Sequence, residues 1–182
     1  MDQRRTDTRE QIQTIALELF AEQGYDGTSL REIAERLGMT KAAVYYHFKT
    51  KEEILTSLIE DFLDQLDELV SWGSEQPPGR QRCRAVLRRY SELLSGRTAE
   101  LARFMQEGQS AIRDLAVGVE IRKRFGQLAD LLTTPDQPLS TRLRARIALI
   151  TLHVGTFAGA ELGGSTQERR DASLQIAHEL ME

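Results

Sequence analysis

Apolar residues recur at helical spacing from one end of the chain to the other, and strand-like alternation is almost absent. Ile12, Ile15, Ala16, Leu19 and Phe20 fall at i, i+3, i+4, i+7 and i+8, one stripe of an amphipathic helix. Asp7-Thr8-Arg9-Glu10 before it has the form of an N-cap with Glu at N3, and Gly24 stands where a C′ residue ends a helix. Ser29-Leu30-Arg31-Glu32 repeats the capping pattern ahead of a second stripe, Leu30, Ile33, Ala34 and Leu37, which Gly38 closes. Thr40 is placed to cap a third short helix, and Thr50-Lys51-Glu52-Glu53 opens a long fourth one reaching about Trp72. That helix is apolar over a wide arc (Ile54, Leu55, Leu58, Ile59, Phe62, Leu63, Leu66, Leu69, Val70), so several neighbours must cover it.

Gly73-Ser74-Glu75-Gln76-Pro77-Pro78-Gly79 breaks the pattern as a linker. Helical spacing resumes at about 79–95, 98–107 and 109–132, stops at Thr133-Thr134-Pro135-Asp136-Gln137-Pro138, and returns at about 139–162 and 166–181. The expectation is an all-α fold of about nine helices without internal repeats. Three capped helices form a compact unit over residues 1–51, and the remainder, 52–182, forms a second helical domain. Helices two and three, joined at Gly38-Met39-Thr40, read as a helix-turn-helix.

The third helix carries the most informative surface. Val44 and Phe48 are four apart and point to one side as anchors, which leaves Lys41, Ala42, Tyr45 and Tyr46 on the other. The chain as a whole has a formal charge of −4, which argues against a general nucleic-acid binder. Charge is nevertheless polarised: residues 38–51 contain three Lys and no acidic residue. A short anchored helix with a basic, aromatic, hydroxyl-bearing face suits a DNA major groove.

Other classes find little support. Cys83 is the only cysteine, so no disulfide forms within the chain and a reducing cytoplasm is expected. The first residues lead into no apolar signal-peptide core. The longest weakly polar run, Ile147 to Ala160, falls short of the ~20 residues that span a bilayer. No Gly-rich phosphate loop, GxSxG or HExxH occurs, and the three His at 47, 153 and 178 are far apart, so neither an enzyme, a cofactor nor a metal site is expected.

Over residues about 10–55 the chain resembles the DNA-binding domain of the TetR family of transcriptional regulators. The matching pieces are Phe20-Ala21-Glu22-Gln23-Gly24-Tyr25, Thr28-Ser29-Leu30-Arg31-Glu32-Ile33-Ala34 and Gly38 through Glu52. The resemblance implies a homodimeric repressor, released from a palindromic double-stranded DNA operator when a small-molecule effector enters the C-terminal domain. The alternative is a helix-turn-helix activator or architectural protein without an effector.

Within that frame Lys41 can donate to guanine O6 or N7, Ala42 can meet a thymine methyl, and Tyr45 can reach a base or a phosphate. Tyr46, His47 and Lys51 match family positions that hold phosphates. Thr28, Ser29 and Thr40 lie at helix starts, where hydroxyls, unpaired amides and the dipole favour a phosphate. Arg4, Arg5 and Arg9 read as a solvated tail or a minor-groove arm.

In the C-terminal domain, Gly155, Ala158 and Gly159 would let another helix approach closely, and Ala172, Ile176 and Leu180 give the last helix an apolar stripe. Together they are candidates for a four-helix dimer interface, with packing inside one chain as the alternative. Phe62, Leu66, Tyr90, Phe104, Met105, Phe125 and His153 are candidates to line an effector pocket, each equally able to be plain core. The acidic balance of this half leans against an anionic ligand, though surface charge says little of a buried cavity. Arg122, Lys123 and Arg124, and Arg142 with Arg146, read as solvated faces.

Overall fold

The computed structural model describes residues 2–107, 116–157 and 159–182. Ala158, the surroundings of Met105 and Gly159, and the expected helical span 109–115 lie outside the described residues. The described chain holds nine α-helices and no strand: α1 (Asp2–Gln23), α2 (Leu30–Arg36), α3 (Lys41–His47), α4 (Lys51–Glu75), α5 (Arg80–Leu93), α6 (Gly96–Glu107), α7 (Ala116–Leu132), α8 (Leu139–Phe157) and α9 (Thr166–Leu180).

Local chemistry sets most of these boundaries. At the start of α2, the Ser29 hydroxyl accepts from the Glu32 backbone N–H, and the Ser29 N–H donates to the Glu32 carboxylate, a complete capping box. Its end is a Schellman turn, with Gly38 N–H bonded to Glu35 O and Met39 N–H to Ala34 O. Gly38 sits at φ +63°, a left-handed conformation that a residue with a Cβ adopts at a cost. Thr40 caps α3 by accepting from Ala43 N–H at 3.2 Å. Thr50 caps α4 through Glu53 N–H, but the reciprocal bond expected of Glu53 goes to Lys49 N–H instead.

Three boundaries differ from the sequence pattern. The first helix begins at Asp2, so Asp7 is an interior residue and not its cap, because the polar residues ahead of it continue the helix. The fourth runs on to Glu75, since Gly73 is buried against Leu131 and Val86 rather than starting a linker. The eighth stops at Phe157, and Gly159–Leu162 forms a separate 3₁₀ turn.

The long fourth helix is the spine. Its buried residues Ile54, Leu55, Leu58, Ile59, Phe62, Leu66 and Leu69 pack against α1, α5, α6 and α7, which answers its wide apolar arc. One continuous apolar cluster therefore runs from Ile12 and Phe20 in α1 to Leu149 and Leu152 in α8. Buried polar groups on this path are satisfied: the Gln13 amide, 1% exposed, donates to Ser57 Oγ and to Asp61 Oδ2, both at 2.9 Å.

Helices α8 and α9 pack antiparallel at very close range. A Cβ built on Gly155 would lie 1.8 Å from Ser173 Oγ and 2.8 Å from the Arg169 carbonyl oxygen. Gly155 thus serves contact within the chain, contrary to its expected place at a dimer interface. Gly155→Ala should lower stability by about 1–3 kcal/mol through overpacking, read as a lower urea midpoint at unchanged slope. Ser173→Gly should recover part of the loss.

Candidate functional site

The helix-turn-helix is held from behind and open in front. Val44 and Phe48 are buried in the core, and the Arg9 guanidinium stacks 4.3 Å from the Phe48 ring centre. Arg9 therefore belongs to the α1–α3 contact and not to a free arm. On the outer side Lys41, Ala42, Tyr45 and Tyr46 are exposed, Tyr46 to 64% of its surface. The Lys41 ammonium lies 5.1 Å from the Tyr45 ring centre, so the two side chains form one cationic, aromatic unit. The half-buried His47 ring meets Tyr46 edge-on at 5.3 Å. Lys49, exposed and unassigned from sequence, donates its ammonium to the Tyr45 carbonyl and adds a positive charge beyond the last turn.

Three expected phosphate ligands turn out to be committed elsewhere. Thr28 is buried, and its hydroxyl donates to Gly24 O at 2.9 Å, sealing the end of α1. The Ser29 hydroxyl donates to the Glu32 carboxylate, so α2 already carries an anion at its positive end. Hydrogen bonds from Ser29 hold that carboxyl below its usual range. The Lys51 ammonium donates to Tyr25 O at 2.6 Å and lies 4.3 Å above the Tyr25 ring. Capping and loop-closing needs within the chain outcompete solvent for these groups. At α3, by contrast, Thr40 caps a first turn with no acidic residue.

The second site is a cavity of about 420 Å³ in the C-terminal domain. Phe62 and Leu66 from α4, Tyr90 from α5, Ile121, Arg122, Phe125 and Leu128 from α7, and Arg146, Ile150 and His153 from α8 line it. Five of the seven sequence candidates meet there: Phe62, Leu66, Tyr90, Phe125 and His153. Phe104 does not; it packs on Phe20 at 5.5 Å between ring centres and near Tyr25, joining α6 to the end of α1. Ile121, Arg122, Leu128, Arg146 and Ile150 were missed. Arg146, Ile150 and His153 stand at i, i+4 and i+7, one face of α8, but arginines in an acidic chain read as solvent-facing. Arg122 and Arg146 are exposed as expected but stand at the cavity, whereas Arg124 is not on a solvated face, since it bridges Glu120 and Asp67 and so ties α7 to α4.

Inside the cavity the Tyr90 hydroxyl and His153 Nε2 are hydrogen-bonded. Burial pushes the Tyr90 pKa up and that of His153 down to about 4, so both are neutral at pH 7. No group of three or more potential metal-ligating residues occurs among the described residues, nor a helix long and apolar enough to cross a membrane.

The last candidate face lies on α8 and α9. Leu143, Ile147, Ile150 and Val154 are exposed at spacings of four, three and four, and Ile176 and Ala172 are exposed on α9. Leu180 is half-buried against the core instead.

An exposed, acid-free helix presented by a helix-turn-helix has the geometry of a DNA-binding module. The profile described as "Bacterial regulatory proteins, tetR family" matches residues 12–58. The HTH-type transcriptional regulator AcrR of Shigella flexneri is 41% identical over 63 residues, 35% of this chain and 29% of that regulator. IcaR of Staphylococcus aureus (strain Newman), a negative transcriptional regulator of a biofilm operon, is 40% identical over 55 residues, 30% of each chain. The chain thus matches under a third of the length of these curated relatives. Across the whole fold it is similar to PfmR of Thermus thermophilus, a TetR family regulator, with TM-score 0.71 and 22% identity over 93% of this chain and 96% of that one. The ketosteroid regulator KstR2 of Mycobacterium tuberculosis gives 0.67 and 19% over 96% and 93%. Residues 12–58 therefore carry the DNA-binding segment of the tetR family, and the chain as a whole has the fold of these solved structures.

The buried imidazole gives a pH test. Between its ordinary 6.5 and its folded value of about 4, the unfolded chain binds a proton that the folded chain refuses. Stability should therefore fall as pH drops through this window, by at most about 3 kcal/mol from this group. Urea unfolding of wild type and His153→Asn from pH 7.5 to 4.5 should show the shallower fall in the variant.

Proposed function

We propose that the chain is a homodimeric repressor that binds a palindromic operator and leaves it when a small molecule fills the α4–α8 cavity. The observation that carries the DNA-binding part is α3 itself, clamped by Val44 and Phe48 while Lys41, Ala42, Tyr45 and Tyr46 face outward on a helix that contains no acidic residue. Lys41 and Ala42 read base edges, Tyr45 contacts a base or the backbone, and Tyr46, His47 and Thr40 hold phosphates. Thr28 is left out of this set by its burial. Repression is the sign of regulation in related proteins, the repressor KstR2 of Mycolicibacterium smegmatis and the negative regulator IcaR among them.

One short recognition helix buries too little for specific affinity, so a second copy supplies the other half-site. The exposed stripe Leu143, Ile147, Ile150 and Val154, with Ile176 beside it, is the apolar face two copies would share across a two-fold axis. This replaces Gly155 and Leu180 in the expected interface. The cavity favours a ligand-responsive protein over an architectural one. Signal reaches the DNA face by two routes: α4 runs from the cavity wall to Lys51 under α3, and α6 grips α1 through Phe104 on Phe20 and Arg97 on Gln13. The division into a DNA-binding unit, residues 1–51, and a cytoplasmic effector and dimerisation domain, 52–182, follows this plan.

Selection of bound DNA from a random pool should return an inverted repeat with both half-sites on one face of the duplex. Lys41→Ala should cost about 1–3 kcal/mol on that site, relax one base position and leave thermal stability unchanged. Lys51→Ala should lower the melting temperature as well, because Lys51 closes the loop at Tyr25. A pool that returns no preferred sequence would overturn the reading.

Charging the apolar stripe gives an independent test of the dimer. Ile147→Glu should convert a two-chain species into a single-chain one in light scattering at micromolar concentration, with helical content unchanged.

A further inference from the structure

We infer that the cavity takes an apolar molecule carrying one anionic head group, with Arg122 and Arg146 receiving the head and the α4–α7 wall receiving the body. The inference rests on the ligand-responsive reading above and sharpens it to a ligand class.

The lining divides into two chemistries. Phe62, Leu66, Ile121, Phe125, Leu128 and Ile150 are hydrocarbon, and no described lining residue is a carboxylate. Two guanidinium groups complete the wall, Arg122 from α7 and Arg146 from α8. Neither has a hydrogen bond or ion pair with another described residue, while their neighbour Arg124 is bridged to both Asp67 and Glu120. Acids were therefore available on α4 and α7, and they serve Arg124 alone. Both lining arginines are exposed, as groups at a rim are, and no carboxylate shares the described lining with them.

A cationic ligand would meet two like charges and no acceptor anion. A neutral apolar ligand would fill the body but leave the arginines unused. An anion gains charge-assisted, two-pronged hydrogen bonds from guanidinium, which suits carboxylate and phosphate geometry. The Tyr90–His153 pair, neutral and bonded to itself, adds no competing charge. The volume of about 420 Å³, set against the ~30 Å³ that a water occupies in the liquid, admits on the order of ten to fifteen non-hydrogen atoms. The acidic balance of the C-terminal half, which leaned the other way, belongs to its surface, whereas the described cavity lining holds no carboxylate.

The test titrates the full chain, without DNA, with decanoate, decanol, decylamine and decyl phosphate, followed by calorimetry. Decanoate or decyl phosphate should bind about tenfold or more tighter than decanol and decylamine. Whichever of the two binds tighter names the head group, and either upholds the anionic class. In Arg122→Gln/Arg146→Gln that preference should vanish while decanol affinity stays unchanged. Ile121→Trp, which fills the cavity from a half-buried position, should weaken all binding, with circular dichroism confirming the fold. Equal binding of the alcohol or the amine, a preference that survives the double variant, or no binding of any probe would overturn the assignment. Anion binding without operator release would leave it standing and overturn the ligand-responsive reading instead.

Discussion

The burial of α4 is the constraint on which the rest depends. Twenty-five residues of helix extend about 37 Å, and apolar side chains occupy nearly every turn of it. No single neighbour can cover so wide an arc, so α1, α5, α6 and α7 are all drawn onto it. Ile54 and Leu55 finish the core beneath the helix-turn-helix, while Phe62 and Leu66 form one wall of the cavity two turns later. The same helix thus serves two sites, and a hydrogen-bonded rod transmits displacement with little loss along its length.

Polar groups inside this frame fix its register. The Gln13 amide reaches from α1 to Ser57 and Asp61 on α4 and accepts from Arg97 of α6. An amide so buried loses several partners together if α1 slides, and each unsatisfied buried group costs about 1–3 kcal/mol. The contact between the two parts of the chain therefore favours discrete arrangements over gradual ones. Lys51 does similar work at the surface, binding the α1–α2 loop to the first turn of the spine.

Element identity was legible in the sequence because caps and helix-ending glycines act locally. Ser29 with Glu32, Gly38, and Thr40 ahead of Ala43 need only neighbours a few residues away, and those neighbours are written alongside them. The outward face of α3 was legible for the same reason, as Val44 and Phe48 fix which side is in. What escaped was competition between distant partners. Lys51 and Thr28 look equally able to meet a phosphate or a carbonyl, and only the folded loop shows the carbonyl within reach. Arg124 and Arg146 are both basic residues in an acidic chain, yet one is paired across helices and the other borders a cavity. Spacing shows that Phe104 is apolar and inward, but not that inward means the end of α1.

The α8–α9 contact has a mechanical corollary. With Gly155 seated on Ser173 and the Arg169 carbonyl, only the small Ser173 side chain stands between the two backbones. Sliding one past the other would drive the serine hydroxyl into the helix opposite. The pair behaves as a single plate, stiff against shear, and that plate forms the far wall of the cavity. Expansion on that side is blocked, so the compliant walls are α4 and α7, one of which ends beneath α3.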